Sequence, residues 1–78
     1  MAWTVITQPN CPSCRAVKEY LEIHDIPFDE FDITEYKNQW IRYLLKQAGY
    51  STVPQVWTHE GQYLGGYEGV QKHDIQTV

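Results

Sequence analysis

The chain has 78 residues, 42% hydrophobic and 14% aromatic, enough for one compact core over residues 1–78 and too short for two. Ten acidic residues against six dispersed basic ones give a net charge of −4, which argues against nucleic acid or an anionic membrane surface as the main partner, because both need clustered Lys and Arg. No apolar stretch approaches the roughly 20 residues of a membrane span, and the first residues lack the charged and apolar regions of a signal peptide, so the expected location is the cytoplasm.

Trp3-Thr4-Val5-Ile6-Thr7 is β-branched and aromatic and ends at the turn-like Gln8-Pro9-Asn10, which predicts a central strand. Cys11-Pro12-Ser13-Cys14 follows directly. From Pro12, a residue suited to a first helical turn, Val17 and Leu21 and less regularly Tyr20 and Ile23 recur at helical spacing, predicting a helix to about His24. Asp25-Ile26-Pro27 breaks it. Residues 28–33 then alternate apolar with acidic side chains, as a half-buried strand does, so the first third of the chain reads as a βαβ unit with parallel strands.

Thr34 is the expected N-cap of a second helix, in which Tyr36, Trp40, Ile41, Tyr43, Leu44, Leu45 and Ala48 form a broad apolar stripe and which Gly49 ends. Residues 53–58 read as a strand, His59-Glu60-Gly61 as a turn, and Gln62-Tyr63-Leu64 as the hairpin partner. After Gly65-Gly66, residues 69–77 could close the chain as a short helix, with thin apolar content in Val70 and Ile75.

The cysteine pair carries the chemistry. Spacing alone allows half of a zinc site, a structural disulfide or a redox pair. Tetrahedral zinc needs two more ligands, and the chain has no third cysteine and only His24, His59 and His73, scattered singly. A disulfide across so short a loop restricts the unfolded chain very little. A thiolate at the first turn of a helix, by contrast, is stabilised by unpaired backbone N–H groups and the positive end of the helix dipole, and a partner three residues on can close a disulfide. Redox chemistry is the favoured reading.

The element order is that of the thioredoxin fold, an α/β arrangement βαβ-α-ββ-α with a four-stranded mixed sheet flanked by helices. Three separated motifs, Cys11-Pro12-Ser13-Cys14, Thr52-Val53-Pro54 and Gly65-Gly66-Tyr67-Glu68, make the chain resemble the glutaredoxins. That resemblance implies a glutathione-dependent thiol-disulfide oxidoreductase acting as a monomer. In it, Cys11 at the helix N-terminus attacks and Cys14 resolves. It also implies a cis bond between Val53 and Pro54, which leaves the Val53 backbone groups free to pair with an extended thiol substrate.

By the same resemblance, Gln8, Pro12, Ser13, Thr52, Val53, Pro54, Gly66, Tyr67 and Glu68 are the candidate glutathione contacts. Gly65-Gly66 would admit a close backbone approach, and the Tyr67 and Glu68 N–H groups would meet a carboxylate at the last helix. Some positions depart from the family pattern: Gln8 stands where many members have Lys, Ser13 where many have Tyr, and Glu68-Gly69 where an acidic pair is frequent. Arg15 and Lys18 read as solvated surface residues.

Glutathione is expected as reductant and cosubstrate, with no metal or permanently bound cofactor. The expected clients are glutathionylated thiols and protein disulfides, that of ribonucleotide reductase included. Two alternatives remain: a redoxin reduced by thioredoxin reductase, and a carrier of a [2Fe-2S] cluster bridged between two subunits by Cys11 and glutathione.

Overall fold

The computed structural model describes residues 2–50 and 52–73. Strand β1 (Trp3–Thr7) leads into α1 (Pro12–Ile23), β2 (Phe28–Asp32), a 3-10 turn (Tyr36–Asn38), α2 (Gln39–Gln47), β3 (Gln55–Trp57), β4 (Tyr63–Gly65) and α3 (Tyr67–Lys72). The sheet order is β2-β1-β3-β4. β1 runs parallel to β2 and antiparallel to β3, and β3 is antiparallel to β4, giving the mixed sheet of a thioredoxin fold with β1 central.

Alternation along β1 divides the side chains between two faces. Trp3 and Val5 meet Val56 of β3, Val17 and Leu21 of α1, and Val70 of α3, all at most 6% exposed. Leu64 and Tyr67 pack at the margin of this core. The opposite face presents Thr4, Ile6, Phe31 and Trp57 towards α2, from which Ile41 is the one buried side chain.

Both long helices stop by the same device. Gly49 takes φ +89 after α2, with the Tyr50 N–H donating to the Leu45 carbonyl at 2.8 Å and the Gly49 N–H to Lys46 at 3.1 Å. Asp25 takes φ +56 after α1, with the Ile26 N–H donating to Leu21 at 2.9 Å and the Asp25 N–H to Glu22 at 3.1 Å. Each is the double-bonded terminus that a left-handed residue creates. Asp25 therefore ends α1 before Pro27 is reached.

Several expectations shift. Thr34 does not cap α2; its N–H and hydroxyl donate to Asp32 Oδ1 at 2.8 and 2.6 Å, forming an Asx-type turn that diverts the chain into the 3-10 turn first. The Asn38 side chain then donates to the Asp32 carbonyl at 3.0 Å. The broad stripe of the second helix is not a buried stripe: Trp40, Tyr43 and Leu44 are exposed, as are Tyr36 before it and Ile23 on α1. The third strand is shorter than residues 53–58, because the chain turns at Pro54 and ladder pairing starts at Gln55. The last helix begins at Tyr67 rather than at Gly69, and residues 74–77 of the expected helix lie outside the described residues.

Gly69 has a packing role that sequence reasoning missed. A Cβ there would collide with the Leu64 backbone carbonyl, so the glycine lets α3 lie directly against β4. Gly65 supplies a positive φ of +82 at the strand end. Gly66, by contrast, is extended, and a Cβ there would make only ordinary contact with the Pro54 carbonyl at 3.7 Å.

Candidate active site

β1 delivers the chain to a turn in which Asn10 takes φ +57, a conformation Asn tolerates better than most residues. Cys11 then occupies the N-cap of α1 in extended conformation, and its Sγ accepts the Cys14 N–H at 3.2 Å. The Cys11 carbonyl accepts the first helical bond, from the Arg15 N–H at 3.1 Å. A sulfur thus stands where a Ser or Asp oxygen commonly caps a helix, facing unpaired N–H groups that stabilise negative charge. Cys11 and Cys14 are joined as a disulfide with their Cα atoms 5.2 Å apart. Cys11 is half-buried, whereas Cys14 is 2% exposed, so only the first sulfur is open to an incoming reactant.

The Val53–Pro54 bond is cis, and the Val53 carbonyl oxygen lies 3.9 Å from Cys11 Sγ. Among the described residues the Val53 N–H has no backbone partner. This loop is held from behind by Gln55, which is 4% exposed. Gln55 Nε2 donates to the Thr52 carbonyl at 2.7 Å and lies 3.3 Å from the Thr52 hydroxyl, while its Oε1 accepts from the Tyr63 hydroxyl. Burial, with the neighbouring Tyr50 second, raises the Tyr63 phenol above its ordinary pKa, so it remains a donor at neutral pH.

A cleft of about 730 Å³ opens in front of Cys11. Of the expected contacts it gathers Gln8, Pro12, Thr52 and Val53. It adds Arg42 and Lys46 of α2 and the ring of Tyr50, none singled out from the sequence. The available signal was their spacing: 42 and 46 are one turn apart, flanking Ile41 and Leu45 on the inward face. Gln8 adds no charge, so these two cations supply the positive potential of the cleft.

Other expected contacts lie outside it. Ser13 is exposed and does not line the cleft. Pro54 is buried behind Val53, and Gly66 stands next to it. The Tyr67 ring points inward, edge-on to Tyr20 at 6.3 Å, leaving only its backbone for a ligand. The Glu68 carboxylate pairs with Lys72 at 2.9 Å, and that hydrogen bond and charge hold its pKa below the ordinary carboxylate value. Among the described residues no group of three or more His, Cys, Asp or Glu side chains converges as a metal site would.

Behind α1, the Thr7 hydroxyl donates to Glu30 Oε2 at 2.7 Å and Lys18 Nζ pairs with the same oxygen at 3.0 Å. Lys18 is therefore tied to β2 rather than free in solvent.

The chain's likeness to known proteins agrees with this geometry. A family model for glutaredoxins matches residues 3–63. Glutaredoxin 1 from Francisella tularensis, solved in complex with cacodylate, is 29% identical, with 90% of this chain and 87% of that one covered at a TM-score of 0.72. A buckwheat glutaredoxin solved with glutathione is 25% identical, covering 88% of this chain and 64% of that one at a TM-score of 0.75. The thioredoxin-like protein BC3987 is 33% identical, covering 88% of this chain and 94% of that one at a TM-score of 0.72. With a redox disulfide capping α1 beside a cis-proline loop, and a family match over most of its length, the chain belongs to the glutaredoxins, thiol-disulfide oxidoreductases of the thioredoxin fold.

Proposed function

We propose that the protein reduces disulfides at the expense of glutathione, with Cys11 as nucleophile and Cys14 as resolving thiol. The observation that carries this division of roles is the contrast between the accessible N-cap sulfur of Cys11 and the buried sulfur of Cys14. In the dithiol form, the Cys11 thiolate attacks one sulfur of a client disulfide, the S–S bond breaks, and the other client sulfur leaves as a thiolate that takes up a proton. Cys14, on losing its proton, attacks Cys11 Sγ, releases the second client thiol and forms the Cys11–Cys14 disulfide. Two glutathione thiols restore the dithiol and leave as glutathione disulfide, so electrons and protons balance.

The cleft suits that reductant. Arg42 and Lys46 provide cations for the glutathione carboxylates, Gln8 a neutral donor, and the Val53 backbone an edge for the cysteinyl amide. The γ-glutamyl end would reach the backbone of Gly66, Tyr67 and Glu68, which stands beside Pro54. The complex of the buckwheat relative with glutathione supports this reading. Clients are glutathionylated thiols and protein disulfides, that of ribonucleotide reductase among them, in the cytoplasm.

The neutral Gln8 in the cleft, which adds no cation to hold glutathione, favours a second reading, in which a flavin-dependent thioredoxin reductase supplies the electrons. Coupling the protein first to glutathione and glutathione reductase, then to thioredoxin reductase, separates the two. NADPH consumption with the first system alone supports the glutathione reading, and consumption with the second alone overturns it.

A further inference from the structure

The six basic residues are dispersed along the chain, but the acidic ones are not. Residues 36–59 carry Lys37, Arg42 and Lys46 and none of the ten acidic residues. That stretch builds α2, the cis-proline loop and β3, the walls of the cysteine cleft. Lys37 pairs with Glu35 at 3.5 Å, whereas among the described residues Arg42 and Lys46 have no carboxylate partner.

The same region is apolar on its outside. Trp40 is 61% exposed and Leu44 56%, and both line a groove of about 240 Å³ between α2 and the sheet, floored by Ile6, Phe31 and Trp57. Groove and cleft are continuous. Leu45 lines both, and the rings of Tyr50, Tyr63 and Trp57 lead from one to the other with centroids 5.0 and 5.2 Å apart. Apolar surface of this kind, joined through Leu45 to a cleft that carries two cations and a reactive sulfur, is the pattern of a docking site.

We infer that this surface binds the polypeptide flanking a client's disulfide, and that the flank is acidic and carries a leucine or aromatic side chain. The inference rests on the oxidoreductase reading above and names the class of its protein substrate. Carboxylates of the flank meet Arg42 and Lys46 beside the cleft, while its apolar side chain passes the end of α2 into the groove between Trp40, Leu44 and Trp57. The acid-rich remainder of the molecule repels an acidic chain elsewhere and steers it to this face. Asp29 shares the sheet face with Thr4, at the end of β1 remote from the cysteines.

The test uses two peptides with the same disulfide loop, one flanked by Glu-Glu-Leu-Glu and one by Lys-Lys-Leu-Lys, beside the mixed disulfide of glutathione and cysteamine. The expected result is a preference for the acidic peptide of about tenfold in kcat/KM at low salt, shrinking severalfold as added salt shortens the screening length. The double variant Trp40→Ser, Leu44→Ser should lose about tenfold on the acidic peptide and keep its rate on the small mixed disulfide. Equal rates on the two peptides, or wild-type rates for the variant, overturn the docking site while the small substrate is still reduced. Loss of the small substrate's reduction in the wild-type protein overturns the oxidoreductase reading instead. Wild-type self-association in sedimentation, abolished by the double variant, assigns the groove to a second copy and also overturns the proposal.

Discussion

The two faces of the sheet are built to different standards. Against α1 and α3, Val5, Val17, Leu21, Val56 and Val70 are all fully buried and a glycine is used to bring α3 into backbone contact with β4. Against α2, Ile41 and Ile6 are buried, but Trp40, Tyr43 and Leu44 face water and a groove runs beside the helix. The closed face fixes the start of α1, and with it the cysteines. The open face carries the cations and rings that surround the reactive sulfur. A chain this short buries only part of its surface, and it concentrates that burial where geometry must be held.

The sharpest way to break this comparison is to cut equally on both sides. Leu21→Ala on the closed face should cost about 2–5 kcal/mol, and Gly69→Ala about 1–3 kcal/mol through the clash with Leu64, whereas Leu44→Ala on the open face should fall within about 0.5 kcal/mol. Thermal and denaturant unfolding measure all three, and a Leu44 variant as damaged as the Leu21 variant would show that both faces are core. A smaller effect is expected from function: Arg42→Ala and Lys46→Ala should each raise the KM for glutathione about tenfold, the value of one charged hydrogen bond, with kcat little changed.

Gln55→Leu should raise the same KM about fivefold, since it frees the Thr52 carbonyl and the Tyr63 hydroxyl and lets the cis-proline loop move. Its kcat should stay near wild type, because Cys11 keeps its own cap. The smallest effect concerns acid stability. Asp32 has its pKa lowered below 3.8, chiefly by the Thr34 hydroxyl and then by the Thr34 N–H. A carboxyl with a depressed folded pKa stabilises above its unfolded pKa, and that contribution disappears as pH falls through the folded value. Thr34→Ala should raise the Asp32 pKa, read by NMR titration, and, by removing part of the contribution that acid would otherwise abolish, make the loss of stability below about pH 4 slightly shallower.

The closed face was largely legible in the sequence. The β-branched run 3–7, Pro12 at a first turn, and Val17 with Leu21 at helical spacing each state a local preference that the fold keeps. The cysteine pair was legible because its motif lies together in a short run of chain, whereas the cis bond at Pro54 was expected only through the resemblance to the glutaredoxins. The open face was not. Periodicity marks Trp40, Tyr43 and Leu44 as an apolar stripe, but it carries no information about whether anything covers them. Asp32 intercepts Thr34 before it can cap, a local competition that propensity does not resolve. Arg42 and Lys46 reach the cleft only because α2 crosses the sheet beside Cys11, and Gly69 matters only because β4 lies beneath α3. Each is a contact between segments that no spacing rule connects.

The most direct measurement is the glutathione-dependent reduction of a small glutathione mixed disulfide by the wild-type protein, Cys11→Ser and Cys14→Ser. The account predicts turnover by the wild type, none by Cys11→Ser, and retained turnover by Cys14→Ser, which should lose only the reduction of protein disulfides. Equal loss in both variants on the small substrate would contradict the assignment of attack to the N-cap sulfur and resolution to the buried one.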